Sequence, residues 1–466
     1  MVEGWNLGDV SMEGRLQKSV AAIDGRLKSK MGSANWSGKF GLGEKRPTYD
    51  LAISAKDFDI QKALPDGKAV EGKLNLQGTV KGVGFAPADM NTRAEVQILP
   101  STVGPVALKQ GALNATVSEK KVRISRASLT TAESTLSASG EFGLDVKTAG
   151  KLDYRFRAAD VGPWLSLVNQ KGSGSVDLAG QAQGNLADLQ TQGTARLSGL
   201  RLESISVKNG DVKFAVRTVK DQSLPQGIVT AHLNDIDAGV AFQRIDATTK
   251  LSGQKSDSVQ FDIGAQDSQQ RKHAVNGTLS YSPEVMVVRL NGAALASPDG
   301  SWKLLQPATV TKRGDVFSIE QFSMKNGDRE LSLNGRFAFA GKQDVTLNVD
   351  RLPLETLMAF FPQQTKASGL LGVQARIAGT AAAPEVSASA RLSNPTIEGQ
   401  AYQGASADVN YKNRQASVRL AVQQDSTHTL NGSGTVPLNL SWHNGFRADA
   451  ADGMDLRVQS SGVSLG

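Results

Sequence analysis

Cysteine is absent from the 466 residues, so no disulfide can form. That suits a secreted or envelope protein that needs none, and equally a reduced compartment where the absence is incidental. Histidine is scarce: His232, His273, His428 and His443 lie apart, with no HxxH or HExxH spacing, so no metal site is expected. No GxSxG elbow, P-loop or GxGxxG fingerprint occurs, and Gly172-Ser173-Gly174 reads as a turn before a strand. Asp57, Asp59, Asp160 and Asp350 fall at expected helix entries, where N-capping accounts for them better than general acid–base work. No catalytic residue, cofactor or metal is therefore expected, and the chain reads as no enzyme. No apolar run approaches the roughly 18 residues of a membrane span. Met1 to Ser19 carry Glu3, Asp9, Glu13, Arg15 and Lys18 and contain no apolar h-region.

Aromatics are only 5%, while glycine is abundant at 48 residues. Hydrophobic content of 39% beside 21% charge is too apolar for a disordered chain, and the apolar residues are periodic. The net charge of +7 is spread over 52 bases and 45 acids. Its densest run, Lys120-Lys121-Val122-Arg123, alternates within a strand and reads as a solvated face, not a nucleic-acid patch.

The organising unit is Ser368 to Leu392. Leu371, Val373, Ala375 and Ile377 alternate with Gly372, Gln374 and Arg376, then Gly379 to Pro384 turns the chain. Val386, Ala388, Ala390 and Leu392 resume the alternation, which makes two antiparallel strands with one apolar and one polar face. Ser173 to Leu197 matches this unit without a gap, with Gly174 on Gly369, Leu178 on Val373 and Gly184 on Gly379. A third copy starts at Gly72, with Leu74, Leu76, Val80 and Gly82 in the same places, and a weaker one at Gly277. Stacked units of this kind share one continuous apolar surface.

A short helix is expected before each copy: Asp59 to Pro65, Pro163 to Val168, and one opened by Pro353 with Leu354, Leu357, Met358 and Phe361 on one side. Between the copies lie further alternating runs, including Leu331, Leu333, Gly335, Phe337 and Phe339. Strands of about seven to ten residues would span roughly 25–33 Å. No βαβ rhythm occurs. The expected class is all-β: an elongated antiparallel sheet in repeats of about one hundred residues. The period sets the boundaries: a partial repeat over 1–56, a first over 57–159, a second with a degenerate copy over 160–349, and a truncated third over 350–466.

With no chemistry to place, the apolar face becomes the candidate site: Leu74, Leu76, Val80, Val176, Leu178, Leu331, Leu333, Phe337, Phe339, Leu371, Val373, Ile377, Val386 and Leu392. Leu76, Leu178 and Val373 should point inward, and Asn75, Asp177 and Gln374 to solvent. The inward set is rich in small residues such as Ala375, Ala388, Ala390, Gly78 and Gly180. Such a set either leaves a channel suited to an acyl chain or lets two sheets approach closely in a dry core. Both readings stay open.

The spacing Gly369-x9-Gly379, Pro384 and then Ala390-Arg391-Leu392, after a Leu-Pro-Leu helix, resembles the AsmA-like/TamB family. So does the run Gly300-Ser301-Trp302-Lys303-Leu304-Leu305-Gln306-Pro307-Ala308 followed by Phe317-Ser318-Ile319. The resemblance covers about Tyr49 to Val422 and rests on the order and repetition of degenerate motifs. It implies a sheet rolled lengthwise into a U-shaped trough, apolar inside, that bridges the inner and outer membranes of diderm bacteria. It further implies a periplasmic, inner-membrane-anchored parent that moves phospholipid and assists outer-membrane assembly with a barrel partner, TamA. Two departures stand out. The family's N-terminal anchor and barrel-facing C-terminal domain are not recognisable, so a fragment is expected, and Asn185-Leu186-Ala187-Asp188-Leu189 lacks the usual turn proline.

Three readings compete without the resemblance. A conduit would hold phospholipid acyl chains on the apolar face. A structural or adhesive β-solenoid would bury that face as a dry core, and a chaperone-like scaffold would offer strand edges.

Overall fold

Alternating residues with a period of two, punctuated by glycine and Asx turns, can bury one stripe only as strands. The computed structural model accordingly is 77% strand and 2% helix. It describes residues 9–42, 46–59, 61, 71–86, 89–145, 147–185, 187–220, 224–252, 258–358, 367–442, 447–450 and 453–463. Contacts divide the chain into two units, Met1–Gln254 and Lys255–Gly466. The repeat boundaries mark a sequence period and these units mark contact density, so they are different divisions.

In the first unit the chain runs as a meander of antiparallel strands, Asp9–Gln17 pairing with Val20–Ser29, that with Gly32–Gly41, and so on to Ala241–Ser252. One short hairpin, Ser101–Val103 with Val106–Leu108, is set aside so that Asn91–Ile98 pairs with Gln110–Ser118. The second unit repeats the scheme from Ser258–Asp267 to Asp455–Ser460. The longest strands, Asp188–Leu202 and Ile205–Val219, reach 15 residues, longer than expected. Neighbouring strands are antiparallel hairpin partners, unlike the stacked parallel coils of a β-solenoid.

Directly opposed residues share a face, so the register can be read across the sheet. Leu76, Ile98, Gly111, Leu129, Leu136 and Phe156 form one such row, which continues to Leu178. Ile53, Gly78, Val96, Leu113, Ala127 and Ala138 form the next. In the second unit Val310, Ile319, Gly335, Val345, Ile377 and Val386 are paired in the same way. One apolar face thus runs across many successive strands of each unit, from Leu76 to Leu178 in the first and from Val310 to Val386 in the second.

The strands bend where backbone geometry forces them to. Gly140 (φ +134°) and Gly335 (φ +124°) adopt angles that L side chains rarely take, and a Cβ there would run into the carbonyl oxygens of Lys151 and Asp344. Elsewhere a ring of the adjacent strand occupies the space where a glycine has no side chain, Trp36 at Gly25 and Tyr154 at Gly180. Bulges interrupt the ladder between Ala55 and Phe58 and between Val349 and Leu352. They place Asp57 and Arg351 at positive φ. Asp57 and Asp350 therefore flank bulges and are not helix caps.

The helix at Gly162–Ser166 has Pro163 in its first turn and Val161 at the N-cap position. Asp160 acts one residue earlier: the amides of Gly162 and Gly174 donate to its carboxylate at 3.0 and 3.2 Å, tying the helix start to the following strand. The helix Leu354–Met358 follows Pro353 as expected. Phe361 lies outside the described residues, as do residues 60 and 62–65 of the expected first helix.

Little of the apolar face is closed over. The residues of these rows are half-buried, not buried, in both units. Among the described residues a buried hydrophobic cluster lies within the second unit, where Trp302, Met324, Val349 and Leu352 meet.

Candidate functional site

The apolar face is a surface, not an interior. Leu74, Leu76, Val80, Val176 and Leu178 in the first unit are all half-buried, and the rows place them on one face. Leu331, Leu333, Phe337, Leu371, Val373, Ile377, Val386 and Leu392 share a face of the second unit, again half-buried. Leu331 and Val373 pack against the Trp302 cluster, so that end of the face is thickest. Phe339 lies beyond its strand, 44% exposed, with its ring 5.1 Å from Phe337 and 6.3 Å from Phe317. The outward set is mixed. Gln374 is exposed, but Asn75 is half-buried and donates to the Pro100 carbonyl at 2.6 Å, and Asp177 is held by Arg155 at 2.9 Å.

The opposite face is more structured than a solvated surface need be. It carries open hollows of about 1080 Å³, beside Glu13, Asp24, Arg26 and Arg126, and about 660 Å³, beside Gln181, Gln192, Arg217 and Lys250. A third, of about 700 Å³, lies in the second unit between Ser332, Asn348 and Gln374. Charges on this face alternate across the ladder, Arg157, Asp177, Arg196 and Asp211 being successive partners. The Arg155 guanidinium holds the Asp177 carboxyl below its ordinary range. Arg376 does the same for Asp344, and His232 with Arg244 for Asp246. Among the described residues every displaced carboxylate is displaced downward, the reverse of what a general acid needs near neutrality. Such pairs organise a sheet surface.

Two features of the second unit escaped the sequence reading. The first is a strap. Past Pro437 the strand Thr429–Ser441 outruns its neighbour and crosses the ends of the strands beside it. Leu438 donates to the Arg414 carbonyl at 2.9 Å, Leu440 to the Tyr411 hydroxyl at 2.9 Å, and Trp442 to the Ala381 carbonyl at 3.0 Å. The Trp442 indole nitrogen donates to Gln343 at 3.2 Å and its ring stacks 6.1 Å from Phe337. The strap buries Tyr411, Ala416 and Trp442 and makes a lip along one rim of the apolar face.

The second is a lysine on the apolar side. Tyr281, Met286, Lys312, Phe317 and Phe337 are successive partners, a row whose only charge is Lys312. Its ammonium stands 5.9 Å from the Phe317 ring centre. The phase of Ala308 and Val310 already puts Lys312 on that face, so this signal was legible in the sequence. The ring neighbours were not.

No helix among the described residues is long and apolar enough to cross a membrane, and no cluster of three or more potential metal ligands occurs among them. A model of the family described as TamB, N-terminal domain, matches residues 8–439. No curated protein and no solved structure matches the chain.

Proposed function

The chain belongs to the TamB family, an envelope family that is generally non-enzymatic, and from that premise we propose that its apolar face carries the acyl chains of phospholipid between the inner and outer membranes. What supports this most is the continuity of the rows: small and aliphatic residues follow one another from strand to strand, half-exposed, with no polar interruption along the stretches from Ile53 to Ala138 and from Val310 to Val386. An acyl chain in water exposes about fifteen methylenes at roughly 0.8 kcal/mol each, on the order of 12 kcal/mol. A continuous apolar surface removes much of that barrier and needs no catalytic group. The polar back, with its alternating charges, keeps such a sheet hydrated. Its place of work is then the periplasm, and its contribution to outer-membrane biogenesis is lipid supply.

The test is photocrosslinking in cells. A benzophenone side chain is placed at Leu178 or Val373, and at Ala179 or Gln374 on the other face, and adducts are identified by mass spectrometry. Phospholipid adducts at 178 and 373, and few at 179 and 374, are expected. Equal capture on both faces, or none at the inner positions, overturns the reading.

A further inference from the structure

We propose that Lys312 is the headgroup anchor of this surface, holding the phosphate of an anionic glycerophospholipid whose chains lie on the adjoining aliphatic row. The inference rests on the lipid reading of the apolar face and adds to it a defined place and a headgroup preference.

Position is the first ground. Lys312 belongs to the last row of the apolar face at one rim, one pair in from Arg313 and Val316, which close the turn and point to the other face. The next row inward, Leu279, Val288, Val310, Ile319 and Gly335, is entirely apolar. Two residues of strand separate the rows, about 7 Å, which is a short step from a lipid's phosphate to the beginning of its chains. The ammonium therefore stands where the acyl surface ends and water begins.

Composition is the second. Phe317 lies under the ammonium, Phe339, 44% exposed, packs on both Phe317 and Phe337, and Tyr281, 59% exposed, stands in the same row beyond Met286. Aromatic residues with a cation at the boundary of an apolar surface are the mixture that settles at lipid headgroup level. Charge is the third. Lys312 is exposed, and no carboxylate among the described residues is in ion-pair contact with it, although Glu284 and Asp315 lie in turns of the same rim. Lys81, Lys121, Lys208 and Lys412, by contrast, each hold an acidic partner. A cation left free at the edge of an apolar row is complementary to a phosphate that arrives with two chains.

The purified chain is titrated with short-chain phosphatidylglycerol and phosphatidylcholine, both below their micelle concentrations, and bound lipid is measured by native mass spectrometry. Lys312→Gln should weaken phosphatidylglycerol about fivefold, the worth of one basic residue near an anionic lipid, and leave phosphatidylcholine nearly unchanged. Added salt should shrink the difference. Lys325→Gln, on the opposite face, should change neither lipid, and both variants should keep the wild-type melting curve. If wild type binds both lipids and Lys312→Gln weakens neither, or both equally, the headgroup proposal falls while the apolar surface stands. If inorganic phosphate displaces phosphatidylglycerol as well as free headgroup does, with the chains contributing nothing, the lysine is a simple anion site and the proposal falls. If wild type binds neither lipid, the lipid reading falls and takes this proposal with it.

Discussion

Placing a carboxylate on the apolar face distinguishes an open surface from a closed core, because the two pay differently for the same charge. Leu333 is half-buried, paired with Phe322 and Leu347, while Val349 belongs to the buried Trp302 cluster. Full burial of an aliphatic side chain contributes about 1.5–3 kcal/mol, so Leu333→Asp forfeits about half, roughly 1–1.5 kcal/mol, and its carboxylate still reaches water. Val349→Asp strands a charge without a partner and should cost about 3–5 kcal/mol, or else raise its own pKa to escape. With a urea slope of about 2 kcal/mol per molar, the midpoints should fall by about 0.5–0.7 M for Leu333→Asp and about 1.5–2.5 M for Val349→Asp. Circular dichroism measures the midpoints, and lipid crosslinking from position 373 is read on the same samples. Leu333→Asp should stay folded and lose lipid. A midpoint shift for Leu333→Asp as large as that of Val349→Asp would refute the open surface, and a folded Leu333→Asp with full lipid capture would refute the acyl-chain role.

Gly335→Ala forces a Cβ against the Asp344 carbonyl at a φ that alanine resists, and should cost about 1–3 kcal/mol in thermal unfolding, against about 1 for Gly314→Ala, which has open space around it. Trp442→Ala removes the stack on Phe337 and the bond to Gln343, so amide exchange at 438–441 should quicken while Gly404–Lys412 stays protected. Asp267 is buried, which alone would raise its pKa, yet hydrogen bonds from Arg271, His273 and the Gln269 amide bring it down to about 2. Because the folded value lies below the unfolded one, its contribution is present above about pH 4 and is lost as pH falls toward 2; Asp267→Asn should flatten that part of a urea-midpoint profile.

The alternation of apolar and polar residues, read with its turn residues, was enough to determine that this chain is antiparallel β, where its hairpins turn, and which side of most strands is apolar. Leu371, Val373 and Ile377 needed no partner to declare their face, since successive side chains on a strand must point to opposite sides. The helix at Gly162–Ser166 was likewise legible from Pro163. Phase across a bulge was not. Asp57 and Asp350 look like caps in sequence because a bulge and a helix entry both interrupt the period of two, and only the partner strand tells them apart. Neighbourhood was not legible either. Trp442 meets Phe337 across six strands, and Lys312 meets Phe317 and Met286, through register set by many ladder bonds acting together. Exposure was decided last of all. Small inward residues suit both a dry interface and an open face, and the choice between them depends on whether anything packs opposite, a property of the folded sheet that no local pattern encodes.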